Sequence, residues 1–87
     1  MGKAVSPQIV SRQVAQLLCE ERLRRRMSMT QVAERSGLSR QMISYMEHGK
    51  RNPTLDTLLR IANALDVNLW KLVKRASGAR NRKTSST

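Results

Sequence analysis

The chain of 87 residues has one cysteine, one histidine, no phenylalanine and only six acidic residues. Each shortage closes off a class of chemistry. The single thiol, Cys19, excludes an internal disulfide and a cysteine-rich zinc site, and the lone His48 lacks companions to complete a metal cage. Neither a metal nor a cofactor is expected. No apolar run is long enough to span a membrane, and no signal peptide with an apolar core begins near Met1. A cytoplasmic protein with no membrane partner is therefore expected. Serine, glutamate and histidine are present, but no arranged nucleophile accompanies the histidine, so no enzymatic function is expected.

What the chain does have is positive charge: 17 lysines and arginines against 6 acidic residues give a formal +11. For so small a protein this points to a polyanion, with nucleic acid the foremost choice over a merely solubilising surface. A chain of this length buries only about 60% of its unfolded surface. It has little stability to spare, and burial against a second subunit would help it.

The hydrophobic pattern is helical throughout, with no strand alternation. Ser6 and Pro7 open a first helix, along which Val10, Val14, Leu17 and Leu18 recur on one side as far as Leu23. Cys19 falls within it as a small, buried or half-buried thiol. The Arg24-Arg25-Arg26 run closes the helix where cations suit its dipole, or contacts phosphate directly. Ser28 and Gln31 have the spacing of a capping box, so a second helix starts near Met29, and Gly37 can take the left-handed conformation that stops it after Ser36. Leu38 drops into the core, and Ser39 caps a third helix whose Ile43 and Met46 face inward. Its outward face is left to Arg40, Gln41, Ser44, Tyr45 and His48. Thr54 caps a fourth helix running to Leu65, and a short fifth runs from Asn68 through Leu69, Trp70, Leu72 and Val73. Leu55, Leu58, Ile61, Ala62 and Leu65, with Val32, Leu38, Ile43 and Met46, can close one small core. Ala76 to Thr87 has no apolar residue beyond alanine, so residues 1–75 read as the folded domain and residues 76–87 as a flexible basic tail.

A helix enters the major groove with its first turn nearest the base edges. Arg40 and Gln41 occupy that turn of the third helix. Arg40 can fork onto O6 and N7 of guanine, Gln41 can pair with N6 and N7 of adenine, and Ser44 and Tyr45 lie one turn later on the same side. Around them Ser39, His48, Lys50, Arg51, Asn52 and Thr54 are candidate phosphate contacts, the last through the N-terminus of the helix it caps. The plainer alternative leaves Arg40 and Gln41 merely solvated and Tyr45 a partly buried ring at the domain's edge.

The stretch SMTQVAERSGLSRQMISYMEHGKRNP, residues 28 to 53, resembles the helix-turn-helix of the XRE-type family, the phage lambda repressor and Cro group. Glu47-x-Gly49-Lys50-Arg51-Asn52-Pro53-Thr54-Leu55 is similar to that family's E-x-G-x-R-x-P-S-L signature, and residues 54–65 resemble its fourth helix. The resemblance covers roughly residues 14 to 73. It implies an all-α fold, a compact five-helix lambda-repressor-like DNA-binding domain with the helix-turn-helix at helices 2 and 3. It also implies a transcriptional regulator, a repressor or autoregulator, that binds double-stranded DNA as a homodimer on a palindromic operator. Arg22 stands where the family has an arginine that pairs with the equivalent of Glu47, so a structural ion pair is implied. Two positions depart from the pattern: Arg26 replaces a frequent glycine, and Met29 replaces a glutamine that often touches phosphate.

Trp70 sits between Leu69 and Lys71, off the face of Leu69, Leu72 and Val73. It either packs within its own chain or, with Leu69, makes a dimer contact through the fourth and fifth helices, which would set half-sites one helical turn apart. Two rival classes stay open: an antitoxin of the same family whose partner is a toxin protein, and a sequence-blind nucleic-acid binder driven by its basic tail. Neither a separate effector domain nor a small-molecule ligand is expected.

Overall fold

Four helices in succession end the same way, on one residue in the left-handed region. The computed structural model describes the backbone of residues 6–85 and the side chains of residues 6–77. It contains α1 (Pro7–Arg24), α2 (Met29–Ser36), α3 (Arg40–Glu47), α4 (Leu55–Ala64) and α5 (Leu69–Ser85). Arg26, Gly37, Gly49 and Asp66 follow α1 to α4 with φ of 57°, 77°, 69° and 59°. After each, the next amide reaches back five residues: Met27 to the Arg22 carbonyl, Leu38 to Ala33, Lys50 to Tyr45 and Val67 to Ala62. This closure satisfies carbonyls the helix would otherwise leave open and turns the chain sharply. Two of the four positions are glycine, where a left-handed φ carries no Cβ penalty. The other two carry side chains.

The helix starts are equally local. The Ser28 hydroxyl accepts from the Gln31 amide at 3.0 Å while the Ser28 amide donates to Gln31 Oε1 at 2.8 Å, completing the capping box. Ser39 Oγ accepts from the Met42 amide at 3.0 Å, and Thr54 Oγ1 from the Thr57 amide at 3.1 Å. Ser6 has the extended backbone of a cap, but its side chain makes no capping hydrogen bond. Pro7, which lacks an N–H and has φ preset for a helix, suffices to begin α1.

α1 packs chiefly against α5, and α2 against α3 and α4. Val14, Leu18, Val32, Ile43, Ile61 and Leu65 are the largest fully buried side chains and meet in one core. Ala33 is buried where a larger side chain would hold the helices apart. Two expectations are corrected. Leu55, assigned to the core by its spacing, is 64% exposed, because it is the first residue of α4 and lies at the margin of the stripe formed by Leu58, Ile61, Ala62 and Leu65. The fifth helix does not stop near Val73. It continues to Ser85, and Ala76, which the sequence reading placed in the tail, is only 4% exposed. A helix anchored by Leu69, Leu72 and Ala76 extends through polar residues because propagation costs far less than nucleation. Residues 1–5 of the expected domain, residues 86–87 of the expected tail and the side chains of 78–87 lie outside the described residues.

Candidate nucleic-acid interface

α3 owes its outward face to its inward one. Ile43 and Met46 are buried in the core, and the Ser39 cap fixes where the first turn begins. Arg40 and Gln41 are therefore held at the N-terminal turn, both exposed, with no ion pair to Arg40 among the described residues. One turn on, Ser44 and Tyr45 are half-buried on the same side. Gln41 Nε2 donates to the Tyr45 hydroxyl at 2.7 Å, and the Arg51 guanidinium lies 5.9 Å from the Tyr45 ring centroid. His48 caps the C-terminal end, its Nδ1 2.8 Å from the Ser44 carbonyl oxygen. A carbonyl only accepts, so the proton sits on Nδ1 and Nε2 is left for an outside partner.

Exposed Lys50, Arg51 and Asn52 form the loop between α3 and α4. Arg51, Asn52 and Thr54 line a cleft of about 110 Å³ beside Met42 and Thr57. The Thr54 hydroxyl that caps α4 also donates to Thr57 Oγ1 at 3.0 Å. Basic side chains and the positive end of α4 thus share one edge of the α3 surface, a setting that suits an anion. Ser39, exposed, marks the opposite edge.

Behind this surface Arg22 of α1 reaches the end of α3. Its Nε donates to Glu47 Oε2 at 2.6 Å and its Nη2 to Oε1 at 2.9 Å, while Nη1 donates to the Met27 carbonyl at 2.8 Å. The side chains are only 11% and 6% exposed. The hydrogen bonds to Glu47 hold the guanidinium above its ordinary value, outweighing burial. Cys19, one turn before Arg22, is half-buried; burial first, then donation to Glu47, pushes its thiol up and keeps it protonated. The carbonyl of Met27 as a third anchor was not readable from residue types, since backbone acceptors are the same at every position.

The fourth and fifth helices carry the apolar surface. Trp70 is 67% exposed and, with Leu59, lines an open groove of about 510 Å³ between α4 and α5. Leu69 is only 7% exposed and belongs to this chain's own core, so the sequence reading misplaced it as a contact residue. Leu55 and Leu59, one turn apart on α4, are exposed as well.

A capped helix, a left-handed turn and a second capped helix with an outward polar face define a helix-turn-helix DNA-binding domain. Residues 20–69, more than half of the chain, match the helix-turn-helix family. The uncharacterized HTH-type transcriptional regulator y4dJ of Sinorhizobium fredii is 50% identical over 54 residues, covering 60% of this chain and 70% of its own. The restriction-modification controller protein C.AhdI from Aeromonas hydrophila superposes with a TM-score of 0.65 at 34% identity, covering 71% of this chain and 94% of its own. A point mutant of the restriction-modification controller protein C.Esp1396I superposes with a TM-score of 0.69 at 28% identity, over 76% and 91% of the two chains. The chain belongs to the XRE-type helix-turn-helix family. It is a DNA-binding transcriptional regulator with the lambda-repressor-like fold, and not an enzyme. No helix among the described residues is long and apolar enough to cross a membrane.

Proposed function

We propose that this chain is a sequence-specific regulator, a repressor or autoregulator, that reads a palindromic operator in double-stranded cytoplasmic DNA as a homodimer. The observation that carries the reading is the first turn of α3, where exposed Arg40 and Gln41 stand on a helix whose other face is locked into the core. Arg40 grips guanine, Gln41 pairs with adenine, and Ser44 and the ring of Tyr45 complete the reading face, each good bidentate pair giving about 1–3 kcal/mol of discrimination. Ser39, His48, Lys50, Arg51, Asn52 and the N-terminus capped by Thr54 hold phosphates on either side and set the register. Restriction-modification controllers among its structural relatives favour a role in gene control.

The dimer contact is the exposed apolar surface of Trp70, Leu55 and Leu59 on α4 and α5. Two copies related by a two-fold axis there place two α3 helices for half-sites one turn of DNA apart. Residues 76–87 add a basic segment whose attraction to phosphate is blind to sequence.

Selection from random duplex DNA at about 150 mM salt tests the reading, with the Arg40→Ala/Gln41→Ala double variant as control. An enriched palindrome that the control loses is the expected result. Equal, unselective binding by both proteins would overturn it in favour of a sequence-blind binder.

A further inference from the structure

Gln41 is not free to turn. Its amide nitrogen is tied to the Tyr45 hydroxyl at 2.7 Å, and the Tyr45 ring lies under the guanidinium of Arg51 from the following loop, 5.9 Å from centroid to central carbon. The three side chains form one chain of contacts, from cation to ring face to hydroxyl to amide. They join the reading helix to the loop that leaves it.

This tie changes what Gln41 offers to a base. An untethered primary amide has two N–H donors and one carbonyl acceptor, and a half-turn of its plane exchanges them. Such a side chain serves adenine, which presents a donor at N6 and an acceptor at N7, and also accommodates guanine, which presents two acceptors at O6 and N7. With one N–H given to Tyr45, Gln41 retains one donor and its carbonyl oxygen. That pair matches adenine. Against guanine the carbonyl oxygen meets O6 or N7, acceptor facing acceptor, in either orientation that keeps Tyr45, since a flipped amide accepts from its hydroxyl; offering both N–H groups to guanine breaks the contact.

We propose that Tyr45, braced by Arg51, is a positioning residue that holds the Gln41 amide in the orientation that selects adenine over guanine. The inference rests on the reading of α3 as the major-groove helix. It assigns to Tyr45 a task distinct from touching DNA itself: removing a choice from its neighbour. Ordering a long side chain before binding also spares a cost worth about 2–10-fold in affinity.

The test uses the full chain, its Tyr45→Phe and Gln41→Ala variants and the double variant. Binding is titrated by fluorescence anisotropy on the operator that the wild type selects, and on duplexes in which each A·T pair facing α3 is replaced by G·C. Gln41→Ala identifies the adenine that Gln41 reads. Tyr45→Phe keeps the ring and its contact with Arg51, and circular dichroism checks that the fold is intact. The expected result is a loss of about 5–10-fold in adenine-over-guanine preference at that one position, with the other positions unaffected and no further loss when Tyr45→Phe is added to Gln41→Ala. An unchanged preference in Tyr45→Phe overturns the proposal. So does a loss that persists in the Gln41→Ala background, which would mean that the hydroxyl contacts DNA directly, or a wild type that reads sequence without any preference depending on Gln41. A wild type that selects no sequence at all would overturn the reading of α3 and this inference with it.

Discussion

Arg22 and Glu47, 25 residues apart in the chain, meet as a forked ion pair whose two bonds are 2.6 and 2.9 Å. The third arm of the same guanidinium holds the Met27 carbonyl, just before α2. One side chain therefore joins α1, the entry to the helix-turn-helix and the last residue of α3. The orientation of α3 depends on this junction as well as on Ile43 and Met46, because α3 is only eight residues long and could not hold its own geometry alone.

Glu47→Gln leaves the Arg22 charge with little water around it. Breaking a buried pair from one side costs about 3–5 kcal/mol. At roughly 4–8 °C per kcal/mol for a domain of this size, the thermal midpoint should fall by at least about 12 °C. Replacing both partners, Arg22→Met with Glu47→Leu, should recover most of the loss, since no charge is then left unpaired. Differential scanning calorimetry on the three proteins checks this. A midpoint unmoved by Glu47→Gln would mean that the pair holds nothing.

Much of this fold was legible because its signals are local. Ser28 with Gln31, Gly37, Ser39 and Thr54 each act on the backbone within a few residues, so both ends of α2 and the starts of α3 and α4 could be read from residue types. The outward position of Arg40 and Gln41 followed from the inward position of Ile43 and Met46. What could not be read depends on neighbours distant in sequence. Leu55 and Leu69 have the spacing of their helices' stripes, and only the packed structure shows that one lies outside the core and the other inside. The bond from Gln41 to Tyr45 has the right spacing for any helix, but spacing alone does not choose it from the other rotamers. The length of α5 was missed because a tail too polar to bury itself can still continue a helix that others have anchored.

Arg26 stands at a left-handed turn, φ 57°, that elsewhere in this chain is given to Gly37 and Gly49. A side chain there costs about 1–2 kcal/mol, partly offset by the extra entropy glycine loses on folding. Arg26→Gly should therefore stabilise the domain by about 0.5–1 kcal/mol. Asp66→Gly should gain less, because aspartate tolerates this region better. Gly37→Ala should do the reverse and cost about 1–2 kcal/mol. The nearest atom to an added Cβ would be Arg60 Nη1 at 3.8 Å, so backbone strain and not crowding is the cause. Urea midpoints of the three variants measure the effect, and a destabilised Arg26→Gly would refute the account.

Glu21 gives the fold an acid-sensitive contact. Arg24 Nη2 donates to both of its oxygens at 2.7 Å and Arg25 Nε to one at 3.3 Å. The bond from Arg24 is the main cause that lowers the carboxyl below its ordinary value, against the opposing pull of burial. A carboxylate lowered in the folded state stabilises above its unfolded pKa, and that contribution is lost as pH falls through the folded value. Glu21→Gln should thus lower the midpoint at pH 7 and converge with the wild type in acid. The gap should be smaller than for Glu47→Gln and should shrink in high salt, because Arg24 is exposed and its charge is screened. Parallel melting curves down to acid pH would show instead that Glu21 titrates alike in both states.

Trp70 should decide whether the chain pairs. With 67% of its surface exposed beside Leu59, on a domain too small for a large core, the indole is the best candidate for a buried anchor between two copies. Hot-spot truncations cost about 2 kcal/mol or more, so Trp70→Ser should raise the dimer dissociation constant by roughly 30-fold. Leu59→Lys should act in the same direction by placing a charge in the contact. Neither residue belongs to the buried core, so both variants should remain folded, and sedimentation equilibrium over a range of protein concentrations should show monomers where the wild type shows dimers. Affinity for a full palindrome should fall much more than affinity for an isolated half-site, because the loss falls on the coupling between two reading helices and leaves each helix intact. If both variants stay dimeric, another surface joins the copies. If the wild type is monomeric at every concentration yet binds a half-site selectively, the chain reads DNA alone.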